Sequence, residues 1–466
     1  MEPTRIPQLS AEPTGRRREK VGQRSAEFVR SIHRMATIAW CVTRMMAAVV
    51  YQVAVHRVRP TDALARQLAP TLSRLGTTSI KLGQLIASSP GTFPSALVQA
   101  CSGLRDNVGS DPDFTIADYL EVELGDGFQR FDHVEATPIA AASIAQVHVG
   151  RLDNGCAVAI KVQRPDIAGT LVTDLRLLNS MARMASRVLP SLRRIDITGL
   201  MASLSDQLMS ELDFTVELDN AQILRRSLGG TGIRTPRCFA ELCTSRVLVM
   251  EYLEGQALST STTHVRSEGS GPAVARRVLQ ALLAPLVAHG VFHADMHAGN
   301  LLVGPDGELG MVDFGCVSQL DEATREGLSH ALLALFERRF PEAACGLLSL
   351  MDVSHADLDA ARNQLIAVTS EYLDRSIEDM PVGLVIRQLI GIGTGHGIVM
   401  PTALLSLMRQ MLFLDGITRE LDPTFNFLDE GAVALRDAMG AAPRADSPSD
   451  APTGSSVEPN AYAVAA

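Results

Sequence analysis

The chain is predicted to be an α+β protein of two lobes, a small strand-bearing lobe followed by a larger helical one, with extra helices in front. Three observations carry that expectation. Residues 140–162 alternate in the manner of strands around the turn Asp153-Asn154-Gly155. A hairpin pattern, 301–303 and 309–312 around Gly304-Pro305-Asp306-Gly307, sits inside an otherwise helical second half. Elsewhere the apolar residues recur at helical spacing. The expected divisions are a disordered basic stretch at 1–27, a helical extension at 28–110, a strand-bearing lobe with a helical insertion at 111–255, a helical lobe at 256–440 and a disordered tail at 441–466.

Composition narrows the class. With 466 residues, 46% of them apolar and 20% charged, the chain can bury a substantial core. A formal net charge of −10 argues against nucleic acid as a partner, which usually meets a basic face. The 7 cysteines are odd in number and without paired spacing, which suits reduced thiols in a cytoplasmic protein. No apolar core followed by a small-residue cleavage site marks the N-terminus, so no secretory signal is expected.

Taken in order, residues 1–27 contain Pro3, Pro7, Pro13, Gly15 and Arg16-Arg17-Arg18, with little apolar surface to bury. Residues 35–55 are nearly all apolar except Arg44 and Gln52, and are long enough to span a bilayer. Arg44 penalises insertion, and the flanking Arg24, Arg30, Arg34, Arg57 and Arg59 suit a helix lying on an anionic membrane surface. The other reading is a helix packed on the protein's own core. Residues 63–106 follow with helical spacing and contain Lys81-Leu-Gly83-Gln84. A glycine inside a helix costs about 1 kcal/mol against alanine, so Gly83 implies a close neighbour.

A short helix at 114–124 precedes the strands at 140–150 and 156–162, and Lys161 ends an apolar run. Helices are expected at 166–189 and 197–228. The second carries Glu211, Asp213, Glu217 and Asp219, and Gly229-Gly230 ends it. Residues 246–253 form a strand that stops at Gly255, in the position of a linker between lobes. A helix at 274–290, kinked at Pro285, leads to the hairpin, and another runs over 322–336. Residues 340–440 read as helical throughout. Gly391-Ile-Gly-Thr-Gly395 lacks the Lys-Ser/Thr of a phosphate loop and reads as a helix connection.

The chemistry gathers around the hairpin. Before it stands His293-Ala-Asp295-Met-His297-Ala-Gly-Asn300, and after it Asp313-Phe314-Gly315. Phosphoryl transfer needs one group to orient a nucleophile and two to hold magnesium against the phosphates. Asp295, Asn300 and Asp313 match those roles at the spacing of protein kinases, and Lys161 matches the phosphate-pairing strand lysine. A turn-residue reading accounts for each motif singly but not for both around one hairpin. A zinc reading of His293 and His297 lacks the glutamate of H-E-x-x-H. Where kinases carry a glycine-rich loop, this chain has Ala140-Ala141-Ala142-Ser143, whose backbone is more restricted. No long loop and no A-P-E follow Asp313-Phe314-Gly315, and the arginine of H-R-D is replaced by Ala294.

With these motifs in place, the chain resembles the UbiB (AarF-domain) family of atypical kinase-like proteins over about residues 60–430. Lys81-Leu-Gly83-Gln84 matches the family's KxGQ motif, 140–148 its alanine-rich loop and Glu211-Leu212-Asp213 its ExD motif. The resemblance implies a two-lobed protein-kinase-like fold with N-terminal helices packed over the active site and a helical C-terminal lobe. It implies ATP and Mg2+ as cofactors. Lys161 would meet the phosphates and pair with Glu217, Asn300 and Asp313 would hold the metal, and Asp295 would sit at the catalytic-base position. Ala140, Ala141, Ala142 and Ser143 would cover the nucleotide, with Glu251 and Leu253 offering backbone groups to adenine. Lys81, Gly83 and Gln84 would fold over the site and meet Glu211 and Asp213, closing the face where a protein kinase admits a peptide.

The expected function is that of an atypical kinase or ATPase, acting on a small molecule or lipid in isoprenoid-quinone or membrane-lipid metabolism. The expected partners are nucleotide and an anionic membrane surface or isoprenoid lipid, at the cytoplasmic face. Two alternatives stand beside it: a pseudokinase-like nucleotide- or lipid-binding module, and a phosphotransferase of the aminoglycoside or choline type. The chain departs from the family pattern at Met296 and Ala298, where prolines are usual.

Overall fold

A computed structural model describes residues 14–441 except 88–94, 102–103, 105–113, 142–143, 166, 189–196, 306, 352–359, 362, 365–366, 368–390, 393–395, 397 and 399–400. Helix α1 (Thr14–His56) opens the chain. It begins within the stretch read as disordered, because Arg, Lys, Glu, Gln and Ala dominate there and all are strong helix formers. Helix α2 (Pro60–Leu75) packs beside it, and α3 (Thr77–Ala87) and α4 (Ser95–Cys101) pack on α2 and on each other. The break between α2 and α3 falls at Gly76, whose φ of 89° favours glycine.

Arg34 fastens these helices to the strand-bearing lobe. Its Nε and Nη2 donate to the two carboxylate oxygens of Asp174, each at 2.6 Å, on α6 (Ile167–Val188). Arg34 also donates to the Leu75 carbonyl, and the Thr78 hydroxyl donates to Asp174 at 2.9 Å. Asp174 and Thr78 are buried, so one carboxylate joins α1, α3 and α6. Gly83 has the close neighbours its position implied, since an added Cβ would collide with the Leu104 and Leu72 side chains.

The small lobe is built on an antiparallel sheet in the order β1 (Phe131–Val134), β3 (Ala145–Leu152), β4 (Ala157–Gln163), β6 (Val247–Glu251). A two-residue β2 (Ala140–Ala141) pairs with β3. Residues 140–150, expected as one strand, therefore contain two strands paired antiparallel, β2 and the start of β3. Helix α5 (Ile116–Leu124) covers one face, and Ile116 and Leu120 join Leu152, Val158, Ile160, Val162, Val247 and Val249 in that core.

The expected helix at 197–228 is two helices, α7 (Ile197–Glu211) and α8 (Phe214–Ser227). Tertiary contacts explain the break. Gln163 donates to the Leu212 carbonyl, and the Phe214 N–H to the Ser245 carbonyl at 3.0 Å. Asp213 caps α8, accepting the Thr215 N–H at 3.0 Å.

Below the small lobe, β5 (Ile233–Arg234), β10 (Leu309–Met311), β9 (Leu301–Val303) and β7 (Gln256–Ala257) form a second sheet, with β5 parallel to β10. Helix α9 (Leu258–Ser267) and helix α10 (Gly271–His289) follow β7, and α10 runs through Pro285 to a left-handed Gly290. Strand β8 (Val291–His293) pairs with β11 (Val317–Gln319). Helices α11 (Glu322–Phe336), α12 (Phe340–Ser349), α13 (Thr402–Leu421) and α14 (Phe427–Ala441) complete a large apolar core around α10. Most of Gly391–Gly395 and the tail from 442 lie outside the described residues.

Candidate active site

The strand period sets the first group. Val158, Ile160 and Val162 point into the small-lobe core, so Ala159 and Lys161 of β4 point to the opposite face. Helix α8 lies on that side. Its Glu217 takes Lys161 Nζ at 2.7 Å on both carboxylate oxygens. Asp313 Oδ1 lies 3.7 Å from the same ammonium, and the Phe214 ring centroid 5.3 Å from it. Glu217 and Asp313, far apart in the chain, thus share one cation.

Burial works against the Lys161 charge, but Glu217 and then Asp313 outweigh it and hold the ammonium above the ordinary lysine range. Burial pushes Glu217 above the ordinary carboxylate range, with Lys161 pulling against it. Burial would also raise Asp313, yet Lys161 and the Gly315 N–H keep it well below the usual carboxylate range. The Asp313 side chain remains 42% exposed, so its ionised carboxylate is open to the cleft.

Buried His293 orients the two acidic motifs. The Asp295 N–H donates to its Nδ1 at 3.1 Å, which leaves Nε2 as the protonated nitrogen, donating to the Asp313 carbonyl at 2.7 Å. Burial lowers the His293 pKa, in keeping with a neutral ring in that tautomer. Asn300 is buried at the start of the hairpin. Its Nδ2 donates to the Asp295 carbonyl at 3.4 Å, and its own carbonyl accepts the Val312 N–H at 3.1 Å. Asp295 itself is exposed. Backbone bonds therefore bring 295, 300 and 313 to one end of the hairpin.

The helix carrying Lys81 closes another side. Lys81 Nζ lies 3.3 Å from Glu211 Oε2, and the Glu211 charge also acts on Lys161. Gln84 donates to the Leu104 carbonyl at 3.5 Å. Asp213 was expected to meet Lys81 and Gln84, but its carboxylate accepts from the N–H and hydroxyl of Thr215 as a helix cap. At the linker, the Glu251 N–H donates to the Arg237 carbonyl at 2.8 Å, and Leu253 is buried with no backbone partner for its N–H among the described residues. Ala140 and Ala141 pair with Val147 and Gln146 of β3. Ala142 and Ser143 lie outside the described residues.

Two side chains escaped the sequence reading. Asn220 donates to the Phe314 carbonyl at 3.0 Å, tying α8 to the Asp313 turn. Its spacing from Glu217, one helical turn away on the same face, was an available signal. Gln410 on α13 donates to the Ala294 carbonyl at 2.9 Å and braces the turn before Asp295. A buried glutamine in an apolar helix is a recognisable oddity.

The donor set fits a magnesium ion held with phosphate. Asp313 Oδ2 and Asn300 Oδ1 have no protein partner among the described residues. Among those residues no cluster of three or more His, Cys, Asp or Glu side chains could hold a metal alone. Magnesium commonly takes one or two protein oxygens and completes its shell with phosphates and water.

Comparisons with known proteins agree with this geometry. Residues 103–344 match the ABC1 atypical kinase-like domain, and 365–426 the UbiB helical domain. An uncharacterised protein of Mycobacterium tuberculosis is 31% identical over 406 residues, covering 85% of this chain and 82% of that one. A chloroplastic aarF domain-containing protein kinase of Arabidopsis thaliana, itself uncharacterised, is 30% identical over 403 residues, covering 79% and 74%. The solved structure of Rv3197 from Mycobacterium tuberculosis, in complex with erythromycin, superposes with a TM-score of 0.53 at 22% identity, covering 77% of this chain and 92% of that one. With its Lys161–Glu217 pair beside Asp313 and a helical cover over the cleft, the chain belongs to the family of ABC1 atypical kinase-like proteins that carry a UbiB helical domain.

Proposed function

We propose that the chain binds ATP with Mg2+ in the cleft between its lobes and transfers the terminal phosphoryl group to water or to a small or lipid acceptor. The observation that carries this reading is Lys161, bonded to Glu217 and 3.7 Å from an ionised, cleft-facing Asp313. Lys161 would hold the phosphates, Asn300 and Asp313 the metal, and Asp295 would orient the nucleophile. Glu251 and Leu253 would receive adenine. Bound metal and triphosphate supply the leaving group and neutralise its charge. His293 and Asn220 keep the Asp313 turn in place.

The Lys81–Glu211 pair, whose acid is close enough for its charge to act on Lys161, supports water or a compact acceptor over a protein. The exposed apolar side of α1, with Trp40, Val50, Tyr51 and Val55, supports placement of the chain on a membrane surface. A role in isoprenoid-quinone or membrane-lipid metabolism is consistent with both features. Phosphate release from Mg-ATP by the full chain tests the proposal. Release should fall at least 100-fold in Asp295→Asn while nucleotide binding is retained. Binding without release in the wild-type chain would instead make it a pseudokinase.

A further inference from the structure

The two histidines of the 293–300 stretch make the same backbone bond but place their other nitrogen in different surroundings. His293 Nδ1 accepts the Asp295 N–H, and His297 Nδ1 accepts the Gly299 N–H, each at 3.1 Å. An occupied Nδ1 leaves the hydrogen of a neutral ring on Nε2. In buried His293 that hydrogen is taken by the Asp313 carbonyl. His297 is exposed, and its Nε2 has no partner among the described residues.

An ordinary turn residue would account for the Nδ1 bond alone. Shorter side chains make that bond elsewhere in the described chain: Asn154, Asp213, Asp313 and Asp422 each accept the N–H two residues on. An imidazole adds a donor on the far side of a rigid ring, which a carboxylate lacks. Gly299 leaves room for the ring, since a Cβ there would stand 3.0 Å from His297 Cε1 and Nδ1. The His297 carbonyl accepts the Asn300 N–H at 2.9 Å, which fixes the same turn from its other end. The ring is also close enough for its charge to act on the Asp313 carboxylate. A fixed, outward-facing donor thus stands among Asp295, Asn300 and Asp313.

We propose that His297 is a further catalytic residue, its Nε2–H donating to a non-bridging oxygen of the terminal phosphate of the bound nucleotide. The inference rests on the Mg-ATP reading above and names the group that tells ATP from ADP, which lacks that phosphate. In the transfer, the bond from the terminal phosphorus to the bridging oxygen breaks as the bond to the nucleophile oxygen forms. The nucleophile's proton passes to Asp295, and His297 keeps its own. Its hydrogen bond steadies the charge on the phosphoryl oxygens throughout.

The test uses the full chain as wild type, His297→Asn and His297→Gln. Asn sets an acceptor near the place of Nδ1, as Asn154 does in its own turn, and removes the outward donor. Gln reaches the place of Nε2 with an amide N–H. Calorimetry with Mg2+ reads the affinities of ADP and of a non-hydrolysable ATP analogue, and phosphate release from Mg-ATP reads turnover. His297→Asn should weaken the analogue about tenfold, as expected for a lost hydrogen bond to a charged group, and leave ADP binding and the unfolding midpoint unchanged. Its kcat should fall about 100-fold, and His297→Gln should recover most of both losses. The inference is overturned if His297→Asn matches wild type, or if it weakens ADP as much as the analogue, which is the mark of a structural role. If wild type binds ATP without releasing phosphate, the analogue-to-ADP ratio alone decides between these results. A wild-type chain that binds neither nucleotide overturns the Mg-ATP reading itself, and the His297 role with it.

Discussion

His293 shows how a single side chain can hold a site together without touching substrate. Its two nitrogens bridge Asp295 and Asp313, and it does this as a neutral ring. Burial lowers its pKa below the ordinary 6.5, against the pull of the Asp313 carbonyl. The folded chain therefore binds fewer protons than the unfolded one, and the His293 contribution is present above the ordinary value and lost as pH falls through the folded value. His148, buried in the small-lobe sheet and shifted the same way by burial, adds to the same slope. The unfolding midpoint should fall between about pH 7 and pH 5. His293→Gln, which cannot take up the proton, should be less stable at neutral pH but lose less on acidification. An unchanged pH slope in that variant would remove His293 from this account.

At the scale of elements, α8 decides whether Glu217 reaches Lys161. Asp213 starts that helix, so Asp213→Ala should cost about 1 kcal/mol. That is ~2 °C in the unfolding midpoint for a chain of this size. It should weaken Mg-ATP binding as well, while Asp213→Asn, which can still cap, should restore both. The same element marks how far the sequence could be read. The hairpin of β9 and β10 was legible because its turn chemistry is local. The break between α7 and α8 was not, because helical spacing continues through Glu211–Asp219 and the interruption comes from Gln163 and Ser245, distant in the chain. For the same reason the residues alone did not say which of the four acids meets Lys161. Family resemblance pointed to Glu217, and β4 and α8 supply the physical reason.

Across the whole molecule, polar residues tie the helical cover to the rest of the chain. Arg34 ties α1 to Asp174 and Leu75, and Lys81 ties α3 to Glu211. Among its described side chains, helix α1 otherwise leaves many apolar residues exposed. Over Arg34–His56 its mean hydropathy is 1.6 and only 11% is buried, so packing on the protein's own core explains few of its apolar residues. Trp40, the chain's 1 tryptophan, is 69% exposed there and gives a direct reporter. If α1 rests on lipid, Trp40 emission should shift to shorter wavelength with anionic vesicles and not with neutral ones at high salt. Unchanged emission with every vesicle would contradict membrane contact through this face.

The account as a whole depends on one convergence, that of Lys161, Asn300 and Asp313 on a single metal-bound triphosphate. Equilibrium titration of ATP with and without Mg2+, in wild type and Asp313→Asn, tests it most directly. Mg2+ should tighten binding in the wild-type chain at least tenfold, about 1.4 kcal/mol. Asp313→Asn should lose that gain without losing its fold, since the His293 bond is to the Asp313 backbone carbonyl. Equal ATP affinity with and without Mg2+ in wild type, or an undiminished Mg2+ effect in Asp313→Asn, would contradict it.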